Sequence, residues 1–208
     1  MAIGYHRSAA AARRTLRELA ALGGHAVAIR ADLTRPPEAR RLVHEAASAL
    51  GGLDILVNSA AVFARTPFDS VTPATYDRIL DLNLRGPFFC AQAAATLMGG
   101  RGGHIVNISD IAVHQRWPHY IPYTLSKAGL VALTRVLAVA LRPRHIAVNG
   151  VAPGAVLRPP GFSRARWQRV TRGHAGSVDD VAAAVVFFAT CSPYITGQVL
   201  SVDGGESA

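Results

Sequence analysis

Short apolar runs recur along this chain, each bounded by turn residues: Ala2–Tyr5, Ala26–Ala31, Asp54–Asn58, His104–Ser109, His145–Val151 and Gln198–Val202. Most are rich in Val, Ile or Leu. Runs that are apolar on both faces suit strands of a parallel sheet, which helices cover on either side. Helix signals lie between them. Ser8 stands where it can cap a helix to about Leu22, with Gly23 and Gly24 to end it. Pro36 and Pro37 can open a helix to about Leu50, stopped by Gly51 and Gly52. Thr72 before Pro73 is an N-cap with proline at the first helical position. Ser177 and Asp180 resemble a capping box with Asp in place of Glu. Apolar residues at helical spacing run from Tyr120 to Leu141, ahead of Pro143. Strand and helix in alternation predict an α/β fold built on a doubly wound parallel sheet. No domain boundary is visible. The one long irregular stretch, Pro153 to Gly176, is rich in Pro, Gly and Arg and reads as a functional loop or lid.

A chain of 208 residues, half of them apolar, can bury a single core without disulfides or metals. Its apolar runs fall short of the roughly 18 residues that span a bilayer, and its first residues form no apolar signal region. Cys90 and Cys191 are the only cysteines and form no C-x-x-C pair. The expectation is a reducing, cytoplasmic setting with no zinc site. Eight histidines include no H-x-x-H or H-E-x-x-H pattern, so no metal is implied. The net charge is +9, yet the arginines are scattered and not interleaved with aromatics. The charge therefore reads as solvated surface rather than a nucleic-acid or membrane face. All but one of the 22 basic residues are arginine. The single lysine, Lys127, is a candidate for work that arginine cannot do.

Tyr123 lies four residues before Lys127, near the predicted start of a helix, which puts both on one face. A tyrosine hydroxyl donates a proton more readily if its pKa falls from about 10, and a nearby cation has that effect.

Tyr123-Thr-Leu-Ser-Lys127 resembles the Y-x-x-x-K motif of the short-chain dehydrogenase/reductase family. Other landmarks fall in that family's order along the whole chain. Asn58, Ser59, Ala60 and Ala61 are similar to its N-N-A-G motif, and Asn83 to the helix Asn of its catalytic tetrad. Pro153 and Gly154 follow its sixth strand, and Val202-Asp-Gly-Gly205 matches its C-terminal segment. Asp32, followed by Leu33, looks like its adenine-contacting Asp. The resemblance implies a Rossmann-like fold, a nicotinamide cofactor and, by analogy, a homotetramer.

Two departures stand out. The family opens with a strand, the glycine-rich turn T-G-x-x-x-G-x-G and a helix, which cradle the cofactor pyrophosphate. Residues 1–5 look like its second strand instead. The expectation is a sheet lacking its first strand, so that the second and fourth lose their shared neighbour. Either Met1 is an internal Met of a longer chain, the reading favoured here, or the product is truncated. The second departure is at the family's catalytic Ser, 13 residues before the Tyr. Here that position is Asp110, with Ser109 one residue early.

Asp at that position resembles the pteridine reductase branch, as do Tyr5-His-Arg-Ser8 and Phe63. The resemblance implies that His6, Arg7 and Ser8 hold the 2′-phosphate of NADPH, with Asp32, Leu33, Asn58, Ser59, Ala60, Pro153 and Gly154 along the cofactor. Arg7 offers a charged donor fork for such a group. Phe63 would stack a pterin or folate substrate. Tyr123 would donate the proton, Lys127 lower its pKa and hold the nicotinamide ribose, and Asn83 support a proton-relay water. Asp110 would bind or help protonate the pterin, since a carboxyl group raised by burial can relay a proton. The implied activity is NADPH-dependent reduction of dihydropteridines or dihydrofolate. Two alternatives stand beside it: a 3-oxoacyl-type carbonyl reductase of the same family, and a catalytically silent chain.

Overall fold

The computed structural model describes residues 1–159, 161–171 and 173–207. Its strands are β1 (Ala2–Tyr5), β2 (Val27–Arg30), β3 (Ile55–Asn58), β4 (Gly103–Ile108), β5 (Ile146–Pro153) and β6 (Val199–Val202). Its α-helices are α1 (Ala9–Ala21), α2 (Pro36–Leu50), α3 (Pro73–Leu80), α4 (Gly86–Met98), α5 (Ile121–Leu141), α6 (Arg164–Thr171) and α7 (Val178–Thr190). All strand pairs are parallel, as a chain alternating strand and helix requires.

The strands form two sheets. One holds β1 and β2; the other runs β3-β4-β5-β6. Within them, β1 and β3 each pair on one side only. The two strands lie in different sheets and are not hydrogen-bonded to each other. On β3, Leu56 packs against the core while Ile55 and Val57 are exposed. Side chains alternate across a strand, so one face of β3 is covered and the other is bare.

At β4 and β5 the four-stranded sheet is covered on both faces. Ile105 of β4 and Val148 of β5 pack with α2, α4 and α5. The next residue on β4, Val106, packs with Val151, Ala184 and Phe188 of β5 and α7. Alanine sets the helix spacing on the first face: Ala39, Ala46 and Ala47 of α2 and Ala91, Ala94 and Ala95 of α4 are all buried. Where α4 begins, Gly86 lets two backbones approach. A Cβ there would sit 2.7 Å from the carbonyl oxygen of Leu33.

Local signals place most of the elements. Helix α2 opens on its prolines and ends at Gly51, which adopts the left-handed conformation at φ 76°. Thr72 caps α3 by accepting from the Thr75 N–H, and Ser177 and Asp180 form the capping box of α7. Three expectations need correction. Ser8 occupies the N-cap position of α1, but its side chain makes no capping hydrogen bond. The stretch from Pro153 to Gly176 is not wholly irregular, because α6 lies within it. And α5 with its short extension, Ile121–Arg144, is by length and composition apolar enough to cross a membrane. Here it packs along β5 and α3 and carries the buried Lys127.

Candidate active site

In a parallel sheet the connections leaving the carboxyl ends of the strands converge, and ligands bind there. The end of β4 runs through Ile108 and Ser109 to Asp110, which caps a short 3-10 turn at Ile111–Val113. The first turns of α5 face it, carrying Tyr123, Ser126 and Lys127, all buried.

The centre of the site is a carboxyl–phenol pair. The Tyr123 hydroxyl donates to Asp110 Oδ2 at 2.5 Å, and the Ala112 N–H donates to Oδ1 at 2.7 Å. Burial pushes the Asp110 carboxyl above the usual carboxylate range, against the opposing pull of the Tyr123 and Ala112 hydrogen bonds and the Lys127 charge. Tyr123 is also pushed up, by burial first and then by the charge and hydrogen bond of Asp110. The expectation that Lys127 lowers the Tyr123 pKa is therefore corrected. Lys127 Nζ lies 5.9 Å from the centre of the phenol ring and donates to the Ile108 carbonyl at 2.7 Å, while Asp110 touches the hydroxyl itself. Burial pulls Lys127 down to about 8. Ser109 is no substitute for the displaced Ser, because its hydroxyl turns away to donate to the Lys127 carbonyl.

Asn83 sits in a π-helical turn, Asp81–Arg85, between α3 and α4. Such turns widen a helix and recur at functional sites. Its amide accepts from the Val62 N–H at 2.8 Å and donates to the Val62 carbonyl and to Ser126 Oγ, both at 3.1 Å. Both amide hydrogens and one oxygen lone pair of the side chain are taken by these partners. It acts as a positioning residue, fastening the segment after β3 to α5 one residue before Lys127.

That segment carries Phe63. Its ring stacks on Tyr120 with centres 4.6 Å apart and meets Tyr123 edge-on at 4.8 Å and Trp117 edge-on at 6.2 Å. Tyr120 and Trp117 were not legible as site residues. The only available signal was their position just ahead of Tyr123.

The remaining candidates are more dispersed. Asn58 is buried and donates to Asn107 on β4 at 2.9 Å, while Ser59 and Ala60 are exposed. At the ends of β1 and β2, His6 Nε2 approaches Asp32 Oδ2 at 4.0 Å. Asp32 also accepts from the Thr34 N–H and hydroxyl, and Thr34 is the main cause holding its carboxyl below the usual range. Arg7 and Ser8 are exposed beside this pair, whereas Leu33 packs on the core. Pro153 ends β5, and Gly154 passes so close to Asp203 that a Cβ would lie 2.8 Å from the Asp203 Cβ.

Residues 1–207 match the family model described as enoyl-(acyl carrier protein) reductase. The chain belongs to the short-chain dehydrogenase/reductase family. It is 34% identical to 3β-hydroxysteroid dehydrogenase 1 of Eggerthella lenta, over 97% of this chain and 81% of that protein. It is 31% identical to a 3-oxoacyl-[acyl-carrier-protein] reductase of Synechocystis, over 98% and 85%. Among solved structures, a blue fluorescent protein from a metagenomic library in complex with NADPH superposes with a TM-score of 0.91 at 35% identity, covering 100% of this chain and 87% of that one. The family fixes an oxidoreductase on a Rossmann-like parallel sheet. These relatives' names are those of other oxidoreductases and lend no support to the pteridine branch.

Proposed function

We propose that this chain is an NADPH-dependent reductase of carbonyl compounds in which Asp110 and Tyr123 together supply the proton. The observation that carries this reading is the 2.5 Å hydrogen bond from the Tyr123 hydroxyl to the half-buried Asp110 carboxyl group, one turn from Lys127. The names of the steroid dehydrogenase and the oxoacyl reductase support a C=O substrate.

Parts of the chain fit such a cofactor. Lys127 Nζ has three N–H donors and gives one to Ile108, which leaves two for a ribose diol. The exposed Arg7 beside His6 and Ser8 suits a 2′-phosphate, for which a guanidinium fork is the favoured partner. For the pyrophosphate, the described residues offer no glycine-rich turn between a strand and a helix. NADPH would supply the hydride that adds to the substrate carbon. The chain's own residues deliver the proton. Tyr123 Oη gives its hydrogen to the substrate oxygen as that oxygen becomes negative, and protonated Asp110 returns one to Tyr123. When Asp110 is ionised the phenol hydrogen points at the carboxylate instead, so the productive form is the one with Asp110 protonated.

Asp110 and Phe63 also favour a second reading, reduction of the C=N bond of a dihydropteridine. A carboxyl group can bind the amino and N–H edge of such a ring, and Phe63 can cover its face. NADPH oxidation with acetoacetyl-CoA, a cyclic ketone and 7,8-dihydrobiopterin separates the two. Faster turnover of either carbonyl compound is the expected result; a pterin that outruns both would replace the first reading with the second. Arg7 provides an independent check of cofactor choice. Arg7→Ala should erode a preference for NADPH over NADH by about tenfold, the worth of one charge-assisted hydrogen bond. Equal use of both cofactors by the unmutated protein would remove Arg7 from this role.

A further inference from the structure

We propose that Trp117 and Tyr120 are specificity-determining residues that, with Phe63, form an aromatic wall selecting a planar ring substrate. The proposal rests on the reductase reading of the Tyr123–Asp110 site. Phe63, Tyr120 and Trp117 form one connected cluster. Phe63 and Tyr120 stack nearly parallel, with an interplanar angle of 5°, and Trp117 meets Tyr120 at 5.9 Å and 66°. The cluster reaches the reacting group itself, because the Phe63 and Tyr123 rings cross at 79°.

The two segments that carry these rings are clasped together. The Thr66 N–H donates to the His119 carbonyl at 2.6 Å, and Thr66 pairs with Tyr120 as an isolated parallel bridge. The wall therefore belongs to a fixed frame rather than to two free loops. Even so, Phe63 leaves 39% of its surface exposed while packed among three aromatic neighbours. An apolar ring left open beside the acid–phenol pair is surface that a flat ligand would cover. Stacking rewards a flat π-system through its quadrupole, whereas an acyl chain gains contact area alone.

The test measures kcat/KM for 1-tetralone, as a ring ketone, relative to acetoacetyl-CoA. Trp117→Ala and Tyr120→Ala should each lower that ratio by about tenfold, the size of one aromatic contact. Trp117→Phe should retain it, since an aromatic face remains. Tyr120→Leu keeps most of the volume without the stack and serves if Tyr120→Ala fails to fold. A ratio unchanged in Trp117→Ala and in the Tyr120 variants would overturn the proposal. Binding is read separately from turnover in a Trp167→Phe background, where Trp117 is the sole tryptophan. 1-Naphthol should quench its emission, and Tyr120→Leu should weaken that binding by about tenfold. If neither ketone is reduced yet naphthol binds in this Tyr120-dependent way, the reductase reading fails and the wall stands. If ketones are reduced but naphthol binding ignores Tyr120, the wall fails and the reductase reading stands.

Discussion

Tyr123→Phe is expected to lower kcat and kcat/KM for reduction together, by about 10²–10⁴-fold, the usual contribution of a positioned proton donor. An equal loss in both constants marks an interaction made only in the transition state. Binding should be nearly unchanged, because the ring and its contacts with Phe63 remain. The pH profile then separates Asp110 from Lys127. Reduction needs the proton held by the carboxyl–phenol pair, and burial raises the Asp110 pKa. The rate should therefore be full below that raised pKa and fall as pH climbs through it. Lys127, pulled down to about 8, loses its charge in the same direction at higher pH. Asp110→Asn removes the first titration and leaves the second. Its alkaline fall should move to higher pH than in the unmutated protein. If the fall stays in place, it belongs to Lys127, and Asp110 has no part in proton supply.

How much of this was legible in the sequence differs from residue to residue. Strand β1 and helix α2 fall on the residues expected, because Ala2–Tyr5 is a bounded apolar run and Pro36 and Gly51 mark both helix ends. Helix α4 gave no such signal. Its residues Gly86–Met98 are apolar nearly all round, with eight of 13 buried, so no amphipathic stripe shows. Helix α6 was hidden for the opposite reason, as Arg164–Thr171 has almost no apolar face. The Tyr123–Lys127 spacing and the Asp at 110 were visible as pattern. The direction of the Tyr123 shift was not, since it depends on which charge touches the hydroxyl. Tyr120 and Trp117 join the site through their contacts with Phe63, held by the clasp at Thr66, a pairing of distant segments that no local pattern encodes.

Asn107 carries the largest stability effect expected in the chain. It is fully buried on β4, where it lies directly across from Asn58 on β3. Its Oδ1 accepts from Asn58 Nδ2 at 2.9 Å, and its Nδ2 donates to Thr134 Oγ1 on α5, also at 2.9 Å. Thr134 in turn donates to the Leu130 carbonyl at 2.8 Å. This chain of bonds ties two strands to the helix that bears Tyr123 and Lys127. Asn107→Ala would leave Asn58 with only a long 3.5 Å contact to the Pro87 carbonyl, and would open a small cavity. An unsatisfied buried amide plus that cavity should cost about 3 kcal/mol. For a chain of this size the melting temperature should fall by roughly 6–12 °C. Thr134→Val should cost less, since it preserves shape and strands a single donor. Because the two residues share one bond, the double variant should lose less than the sum of the singles, by about 0.5 kcal/mol or more. Strict additivity in urea denaturation would show that the network is not a unit. Activity should fall further than folding alone explains, because Asn107 is immediately followed by Ile108, which holds Lys127 Nζ, and then by Ser109 and Asp110. Loosening the end of β4 moves the carboxyl group away from the phenol it must serve.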